Sequence, residues 1–391
     1  MSLISILNFF ATTSYTVHPY YLFCALELHH NTQKISYTPE KICNHFGSFL
    51  NNQCIDYFKK DEEPIININD CVQYIEKGQD TEHIQTKWGP FVDYLSSYDK
   101  YYNSYSEVLN KVETFHDNLD YIYEHNKYGN SSYTLGINYF ADMTNNEYIN
   151  YISGRKYDFS KDICTDQPSN SGNYPSAIDW RDNNAVTSVK DQGQCGSCWS
   201  FSTTGAVEGI HAITEGTLLS FSEQQLVDCS YSYGNHGCNG GLMQNAFTYI
   251  SDYGITTEDA YPYTATSSRS SCKEFKPVAD IAGCVNVSPN ELDLTYAVAQ
   301  QPVSVSIEAD SRSFQLYSGG VYDDSSCGTT LDHGVLAVGY GTDTGKDYWI
   351  VKNSWSSSWG DAGYIKILRN SVATSTTGMC GIAMDASYPT M

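Results

Sequence analysis

The chain has 391 residues, a formal net charge of −23 at pH 7 and a hydrophobic content of 41%. This length is enough for two or three compact units with a sizeable core. Because a strongly acidic surface repels phosphates, we expect neither nucleic acids nor anionic membranes as partners. No apolar run reaches the ~20 residues that a membrane-spanning helix needs.

The sequence has 13 cysteines, a density that is unusual in the cytosol and indicates an oxidising compartment. In such a compartment the sequons at Asn130 and Asn286 are candidate glycosylation sites. Near the start of the chain, Leu3 to Phe10 could form the apolar core of a signal peptide, but no Lys or Arg precedes it. The pattern therefore leaves the presence of a signal peptide open.

Residues 1–87 contain no motif that indicates a function. Their four cysteines could form two disulfides, and three pairings are possible. We interpret this segment as an N-terminal extension with a structural role, with a binding module as the alternative. The four cysteines are Cys24, Cys43, Cys54 and Cys71.

Residues 88–173 open with a helical pattern, in which six residues recur at gaps of three or four. This spacing predicts one face of a helix of about five turns, which by itself could be an ordinary amphipathic surface helix. A Gly-x-Asn-x-Phe-x-Asp run follows over residues 136–142, and residues 150–173 have the composition of a linker. The six residues of the face are Glu107, Lys111, Phe115, Asn118, Ile122 and Asn126.

Helical patterns dominate the first half of residues 174–391. Ser222 is a predicted N-cap that forms a capping box with Gln225, and Gly254 is a predicted helix stop. The second half is rich in β-branched and aromatic runs that are typical of strands. Helices followed by strands indicate two lobes of an α+β protein. The predicted helices cover residues 198 to about 213, 223–228 and 242–253, and the predicted strands cover 303–307, 333–340, 348–352 and 363–368.

Cys198 begins a predicted helix directly after a glycine-rich turn. The N–H groups and the macrodipole of a helix N-terminus favour an anion, so this position lowers the pKa of a thiol. A neighbouring imidazolium lowers it further, and His333, at the start of a predicted strand, is the candidate. Asn353 could accept a hydrogen bond from that imidazole and fix its tautomer. A structural histidine and a disulfide-bonded cysteine are the simpler alternatives.

These residues resemble a known family. Cys-Gly-Ser-Cys-Trp over residues 195–199, with His333 and Asn353 far downstream, resembles the signature of papain-like cysteine peptidases. The helix face and the Gly-x-Asn-x-Phe-x-Asp run resemble the inhibitory prosegment of the cathepsin L-like subfamily, although Lys111 stands where that subfamily usually has Arg. The resemblance implies an α+β fold with a helical left lobe and an antiparallel, β-barrel-like right lobe, preceded by a helical prodomain.

The resemblance also implies a division of the chain and an activity. Residues 1–87 would be the extension, 88–173 the inhibitory prosegment and linker, and 174–391 the peptidase domain, released by cleavage near residues 172–174. The protein would be a monomeric cysteine endopeptidase zymogen of the lysosome or vacuole, or a secreted one, acting on proteins and peptides. Its own prosegment would inhibit it, and it would need no metal or cofactor.

Further roles follow from position within the family. Gln192 would complete an oxyanion hole with the Cys198 backbone N–H, or else be a solvated loop residue. Trp355 would shield the His333–Asn353 hydrogen bond, and Trp359 would extend that wall. The implied disulfides are Cys195–Cys238, Cys229–Cys272 and Cys327–Cys380, with Cys164 and Cys284 left unpaired. The implied substrate-binding residues are Gly240, Gly241, Leu242, Met243, Ser306, Leu331, Asp332, Gly334, Asp385, Trp355 and Trp359.

Besides Lys111, two positions in the peptidase domain depart from the usual family pattern. Asp385 at the floor of the S2 pocket could hold an Arg at P2 through charge-assisted hydrogen bonds, beside the expected Leu or Phe, or could turn outward into solvent. Ser356 stands where a glycine is usual and must avoid a positive φ or accept strain. An inactive homologue that only binds ligands and an exopeptidase are the competing functional interpretations.

Overall fold

In the computed structural model, the described residues are 90–152 except 92, 96, 101, 103 and 104, together with 164–166, 173–369 except 271, and 377–391. The predicted extension over residues 1–87 lies outside them. The chain divides into two compact units, one comprising residues up to Tyr121 with Ala141–Met143, the other Ile122–Phe140 with Thr144–Met391. Within the described residues, every helix is too short or too polar to cross a membrane.

The first unit is organised around the buried carboxylate of Asp142, the last residue of the Gly-x-Asn-x-Phe-x-Asp run. This carboxylate accepts hydrogen bonds from the hydroxyls of Tyr94 and Tyr102, at 2.7 and 2.6 Å. It also pairs with Lys100 Nζ at 2.9 Å. A buried carboxylate is tolerated only with such partners, so the final position of the motif has a structural explanation.

The predicted prosegment helix is α1, Tyr105–Tyr128. Phe115, Asn118 and Ile122 of the predicted face are buried. Asn118 donates to the carbonyls of Ala141 and Met143, so the polar member of the face fixes the backbone around Asp142. The mixed composition of the face thus reflects side chains that bind backbone rather than a plain apolar core.

Further helices lie in the second unit. The helix predicted from Cys198 extends two residues further than expected, and the others lie within a residue of prediction. Ser222 caps its helix by accepting from Gln225 N–H at 3.0 Å. The predicted capping box is wrong in its second half, because Gln225 Oε1 accepts from the Thr256 N–H and the Ser222 N–H donates to the Thr256 carbonyl. The helices are α2 Asn145–Ile152, α3 Cys198–Glu215, α4 Glu223–Cys229, α5 Met243–Tyr253, α6 Glu291–Val298 and α7 Arg312–Gln315.

Among the described residues, ten strands form one mostly antiparallel sheet. The strands are β1 Tyr133–Leu135, β2 Thr165–Asp166, β3 Ile178–Asp179, β4 Gly283–Asn286, β5 Val303–Ile307, β6 Tyr317–Tyr322, β7 His333–Asp343, β8 Lys346–Lys352, β9 Tyr364–Leu368 and β10 Ala386–Thr390. Their order in the sheet is β1-β6-β9-β8-β7-β5-β10-β4-β2, with β3 paired to β7. The β7–β8 hairpin is longer than predicted, because Thr344 and Gly345 adopt φ values of 49° and 82° and so form a tight turn.

The buried helix α3 packs against β5 and β7. Two glycines within it allow this close approach. A Cβ on Gly205 would lie 2.7 Å from Leu336 Cδ2, and a Cβ on Gly209 would lie 2.5 Å from Pro302 Cγ. The helix backbone therefore lies almost directly on the sheet, which brings the N-terminus of α3 to the start of β7.

Four disulfides join described residues. Three have the pairs that the family resemblance implies, Cys195–Cys238, Cys229–Cys272 and Cys327–Cys380. The expectation that Cys164 and Cys284 are unpaired is wrong, because these two form the fourth disulfide. Here β2 runs parallel to β4, with Thr165 opposite Val285, and this pairing brings the two cysteines together.

Candidate active site

Cys198 is the first residue of α3, is almost fully buried, and lies outside the four disulfides. Its Sγ accepts a hydrogen bond from the backbone N–H of Gly334 at 3.4 Å. Since His333 is the adjacent residue at the start of β7, this contact brings the sulfur and the imidazole into the same neighbourhood. Two residues 135 positions apart in sequence are thereby joined by the α3–β7 packing.

His333 is fixed by two neighbours from the segment after β8. Its Nε2 lies 2.8 Å from Asn353 Oδ1, and its ring stacks on the indole of Trp355 with centroids 4.5 Å apart. Asn353 Oδ1 also accepts from the N–H of Ser354, so the atom facing the imidazole is an acceptor. Nε2 must then carry the proton, which leaves Nδ1 as the basic nitrogen.

The imidazole is fully buried. Burial lowers the pKa of His333 to about 4, although the hydrogen bond to Asn353 opposes the shift. Nδ1 is buried and has no hydrogen-bond partner among the described residues. In this state the ring is neutral above a pH of about 4 and holds an unused proton acceptor.

Gln192 is fully buried, which excludes the solvated alternative. Its Nε2 donates to the Cys195 carbonyl at 3.0 Å and its Oε1 accepts from Ser354 Oγ at 2.6 Å. The backbone N–H of Gln192 also donates to the Ser354 carbonyl. The glutamine is therefore fixed by the residue that follows Asn353.

Trp355 is covered by aromatic rings of the segment that follows β1. The centroids of Phe140 and Tyr148 lie 5.2 and 5.8 Å from that of Trp355. Two hydrogen bonds anchor the same segment, from Asn138 Nδ2 to the Gln315 carbonyl and from Tyr148 Oη to the Ala309 carbonyl. Phe140 of the Gly-x-Asn-x-Phe-x-Asp run and Tyr148 of α2 thus close the wall beside His333.

Trp359 is fully buried behind Trp355, with ring centroids 5.1 Å apart. Its indole N–H donates to the carbonyl of Gln315. It therefore supports the wall from behind rather than facing a substrate in this form of the protein.

The predicted pocket residues converge through the register of the sheet. Ser306 on β5 stands opposite Gly334 on β7, and a Cβ on Gly334 would lie 3.3 Å from Met243 Sδ. Asp385 accepts hydrogen bonds from Ser306 Oγ and Gln244 Nε2, both at 2.7 Å. The outward orientation considered for Asp385 is therefore excluded. Burial raises the pKa of Asp385, while these two hydrogen bonds oppose the shift.

Three other predicted binding residues have structural roles here. A Cβ on Gly241 would lie 2.6–2.7 Å from Asn235 Oδ1 and the Trp199 ring, and Gly240 has a φ of 100°. Asp332 accepts a hydrogen bond from the Ala309 N–H at 2.8 Å. Burial raises the pKa of Asp332 to about 7. Of the remaining two, Leu331 is buried and Leu242 is half-buried.

A cluster of buried charges was not foreseen from the sequence. Lys190 Nζ contacts Glu208 Oε1 at 3.1 Å and Glu223 Oε1 at 2.6 Å. Thr187 bridges Glu208 to Lys352, the residue before Asn353. Burial raises the pKa of Glu223 to about 7, although Lys190 opposes the shift. No motif could have predicted this charge cluster, because its members come from separate elements with unrelated spacing.

Comparison with known proteins supplies the family. Residues 174–390 match the model described as papain family cysteine protease, and residues 91–148 match the cathepsin propeptide inhibitor domain. The chain is 53% identical over 291 residues to the probable cysteine protease RD21B of Arabidopsis thaliana. The matched region covers 73% of this chain and 61% of that protein. The chain spans 61%, 62% and 65% of the length of the three RD21-type curated relatives.

Solved structures of cysteine protease precursors support the same family. The digestive procathepsin L 3 of the Tenebrio molitor larval midgut is 43% identical, with a TM-score of 0.71 over 78% of this chain and 99% of that one. The recombinant stem bromelain precursor is 39% identical, also with a TM-score of 0.71, over 78% of this chain and 99% of that one. The chain therefore belongs to the papain family of cysteine proteases, with a cathepsin-type propeptide domain ahead of the peptidase domain.

Proposed function

We propose that the chain is the zymogen of a cysteine endopeptidase, with Cys198 as nucleophile and His333 as general acid and base. The observation that carries the proposal is the pair of hydrogen bonds around residues 333 and 334. Gly334 N–H binds Cys198 Sγ while His333 Nε2 binds Asn353 Oδ1. Under this proposal residues 88–173 are the inhibitory part and residues 174–391 the mature enzyme.

The first step is activation of the thiol. The Nδ1 atom of His333 takes the proton of the Cys198 thiol, giving a thiolate and an imidazolium. The helix N-terminus stabilises the thiolate, and Asn353 keeps the ring in the required tautomer. Because burial lowers the pKa of His333 to about 4 in the zymogen, we propose that this ion pair forms only after the prosegment leaves.

Peptide hydrolysis then proceeds by acyl transfer. The thiolate attacks the substrate carbonyl carbon, and the imidazolium gives its proton to the leaving amine as the C–N bond breaks. The imidazole next takes a proton from water, the hydroxide attacks the thioester carbonyl, and the acid product leaves as the thiolate is restored. Gln192 Nε2 and the Cys198 N–H stabilise the oxyanion in both halves; loss of such a donor typically costs ~10²–10³ in turnover.

Latency follows from the aromatic cover over Trp355. Phe140 and Tyr148 pack on that indole, and their segment is hydrogen-bonded to α7 and its surroundings. A polypeptide substrate would have to displace this segment before reaching His333. We propose that acidification of a lysosome, vacuole or extracellular space triggers that displacement.

Substrate preference is proposed for the P2 side chain. Met243, Leu331, Gly334 and Ser306 form a mostly apolar pocket suited to Leu or Phe, and Asp385 would accept Arg only when ionised. Because the pKa of Asp385 is raised, its charge is lost as pH falls. The rate of cleavage of substrates with Arg at P2, relative to substrates with Leu at P2, should therefore increase as pH rises. An Asp385→Ala enzyme that retained full activity on Arg-at-P2 substrates would contradict this.

Incubation of the purified precursor at acidic pH tests the proposal. We expect autoprocessing to a fragment that begins near Tyr174, and no processing in Cys198→Ser. Titration with a thiol-directed epoxide then separates an enzyme from an inactive binding homologue, since only an activated thiolate reacts stoichiometrically. Product analysis on a long unstructured peptide distinguishes the two modes of cleavage, because an exopeptidase would release only terminal residues or dipeptides.

A further inference from the structure

The disulfide Cys164–Cys284 joins two parts of the chain that activation would separate. Cys164 lies after the propeptide match, which ends at residue 148, and before the peptidase match, which begins at residue 174. Cys284 lies on β4 inside the peptidase match. The other three disulfides have both ends between residues 195 and 380. Among the described residues, only this disulfide crosses the expected cleavage region at 172–174.

A short strand pairing and two hydrogen bonds surround this disulfide and form a joint between the two segments. Thr165 and Asp166 add a parallel strand to β4, and Thr165 Oγ1 donates to the Cys284 carbonyl at 3.2 Å. Asn286 Nδ2 donates to the Cys164 carbonyl at 3.3 Å. Both cysteines are 8% exposed and belong to the buried cluster that includes Ile255 and Ile281.

The same contacts distinguish the two sequons. The Asn286 amide is engaged in a hydrogen bond to the Cys164 carbonyl, whereas Asn130 lies in an exposed loop. Of the two asparagines, Asn130 is therefore the more accessible.

We propose that Cys164–Cys284 is a covalent latch that keeps the prosegment on the peptidase domain after the activation cleavage, and that a small thiol or dithiol reductant releases it. The inference rests on the proposed zymogen function. A cut between Asp166 and Tyr174 breaks the backbone but leaves the disulfide intact. The product is then a two-chain protein in which Cys164 still holds the prosegment.

The tether matters because it changes the inhibition from bimolecular to intramolecular. A segment tied by a short linker has an effective concentration on the order of millimolar. Only about a dozen residues separate the end of α2 from Cys164, so the span available is at most roughly 40 Å. The cleaved but unreduced protein should therefore remain largely latent, since the tethered Phe140 and Tyr148 compete with substrate at this effective concentration.

The prosegment is released by thiol–disulfide exchange. A thiolate of the reductant attacks one sulfur of the Cys164–Cys284 bond, forming a mixed disulfide and expelling the other sulfur as a thiolate. A second thiol of the reductant resolves the mixed disulfide. The protein bond gains two electrons and two protons as two thiols, and the reductant leaves as its own disulfide. Partial burial of both cysteines predicts slow reduction while the joint is intact.

The latch can be tested without catalysis. A recognition sequence for a site-specific protease is placed between Asp166 and Tyr174 in the full-length Cys198→Ala protein, which is then cut. We expect one band in non-reducing denaturing electrophoresis and two bands after reduction. In the matched Cys164→Ser/Cys284→Ser protein, two bands should appear without reductant. Two bands without reductant in the parent, with Cys164 and Cys284 alkylated as thiols, would overturn the proposal.

Activity is measured in a second arm on proteins that retain Cys198. After the same cut and without reductant, the double variant should exceed the parent at least tenfold in epoxide-titratable sites, and a thiol should abolish the difference. Equal titration without reductant would overturn the latch as a regulator. If the double variant stays inactive while the electrophoresis gives the expected bands, the proposed enzymatic function is wrong, but the covalent link between Cys164 and Cys284 is still supported.

Discussion

Two buried polar clusters flank residues 352–354, and they handle charge in opposite ways. On one side, Lys190 lies between Glu208 and Glu223, so its charge is balanced. On the other, His333 contacts a neutral amide and an indole, and burial lowers its pKa to about 4. The comparison teaches that burial alone favours the neutral imidazole, whereas the two carboxylates raise the pKa of Lys190 and retain its charge, although burial opposes that shift. Retained charges and a neutral buried imidazole thus lie on either side of residues 352–354.

Removing the cation from the charged cluster should have the largest effect. Lys190→Met removes the cation that directly contacts both Glu208 and Glu223, and leaves Lys352 to reach Glu208 only through Thr187. This loss should lower the free energy of unfolding by about 3–5 kcal/mol. Urea denaturation in a Cys198→Ala background measures it. Lys346→Met is the matched control, because its partner Asp323 and its own side chain are partly exposed, and exposed pairs contribute about 0–1 kcal/mol. Equal losses in the two variants would refute the contrast.

Asp332, the residue before His333, tests how burial without a counter-charge affects the stability of the fold. Its folded pKa is raised to about 7 above an unfolded value of ~4, so the unfolded state loses its proton first as pH rises. Wild-type stability should fall by about 2–4 kcal/mol between pH 4 and pH 8 from this group. Asp332→Asn keeps the acceptor for Ala309 and removes the titration. Denaturation curves should show it equal to wild type at pH 4 and more stable at pH 8.

His333 itself can be titrated by NMR in the Cys198→Ala zymogen. We expect a pKa near 4, because burial lowers it. Its neutral form is favoured in the fold, so its contribution to stability is present above a pH of ~6.5 and is lost as pH falls towards 4.

The aromatic cover over Trp355 should set part of this shift. Phe140→Ala, which uncovers Trp355, should raise the His333 pKa by about one unit, or ~1.4 kcal/mol. Phe140→Leu should leave it near the starting value; a similar rise in both variants would mean that the aromatic cover does not set the pKa.

The smallest effect concerns the loop that carries Trp355. Ser356 has a φ of 66°, a left-handed conformation that a side chain disfavours. Ser356→Gly should raise the melting temperature and stabilise the fold by about 1 kcal/mol. Ser357→Gly is the control, since that residue is not among those with positive φ, and it should be neutral or slightly destabilising. The reverse order would mean that the loop accommodates Ser356 without strain.

Much of the site could be anticipated from local patterns. The helix starting at Cys198, the strand starting at His333 and the three disulfide pairs implied by the family all appear in the structure. The Gly-x-Asn-x-Phe-x-Asp run also indicated a prosegment, and the propeptide domain matches there. The assignment of catalytic roles and of domain boundaries remains a prediction.

Other features could not be read from the sequence. The pairing of Cys164 with Cys284 depends on a two-residue strand that no periodicity can reveal. The Lys190 cluster gathers residues from separate loops and helices. Gly241 is an implied substrate-binding residue, and only the structure shows that its missing side chain also makes room for Trp199. Each of these is a contact between distant segments, and sequence spacing carries no signal for it.

By itself the sequence determined which chemistry is available, because a thiol at a helix start, an imidazole and an amide are fixed by residue type and local spacing. Only the tertiary structure decided their state. Burial sets the His333 ring neutral, Asn353 sets its tautomer, and β2 pairs Cys164 with Cys284. Protonation and disulfide pairing depend on desolvation and on distances across the fold, which arise only when remote segments pack together.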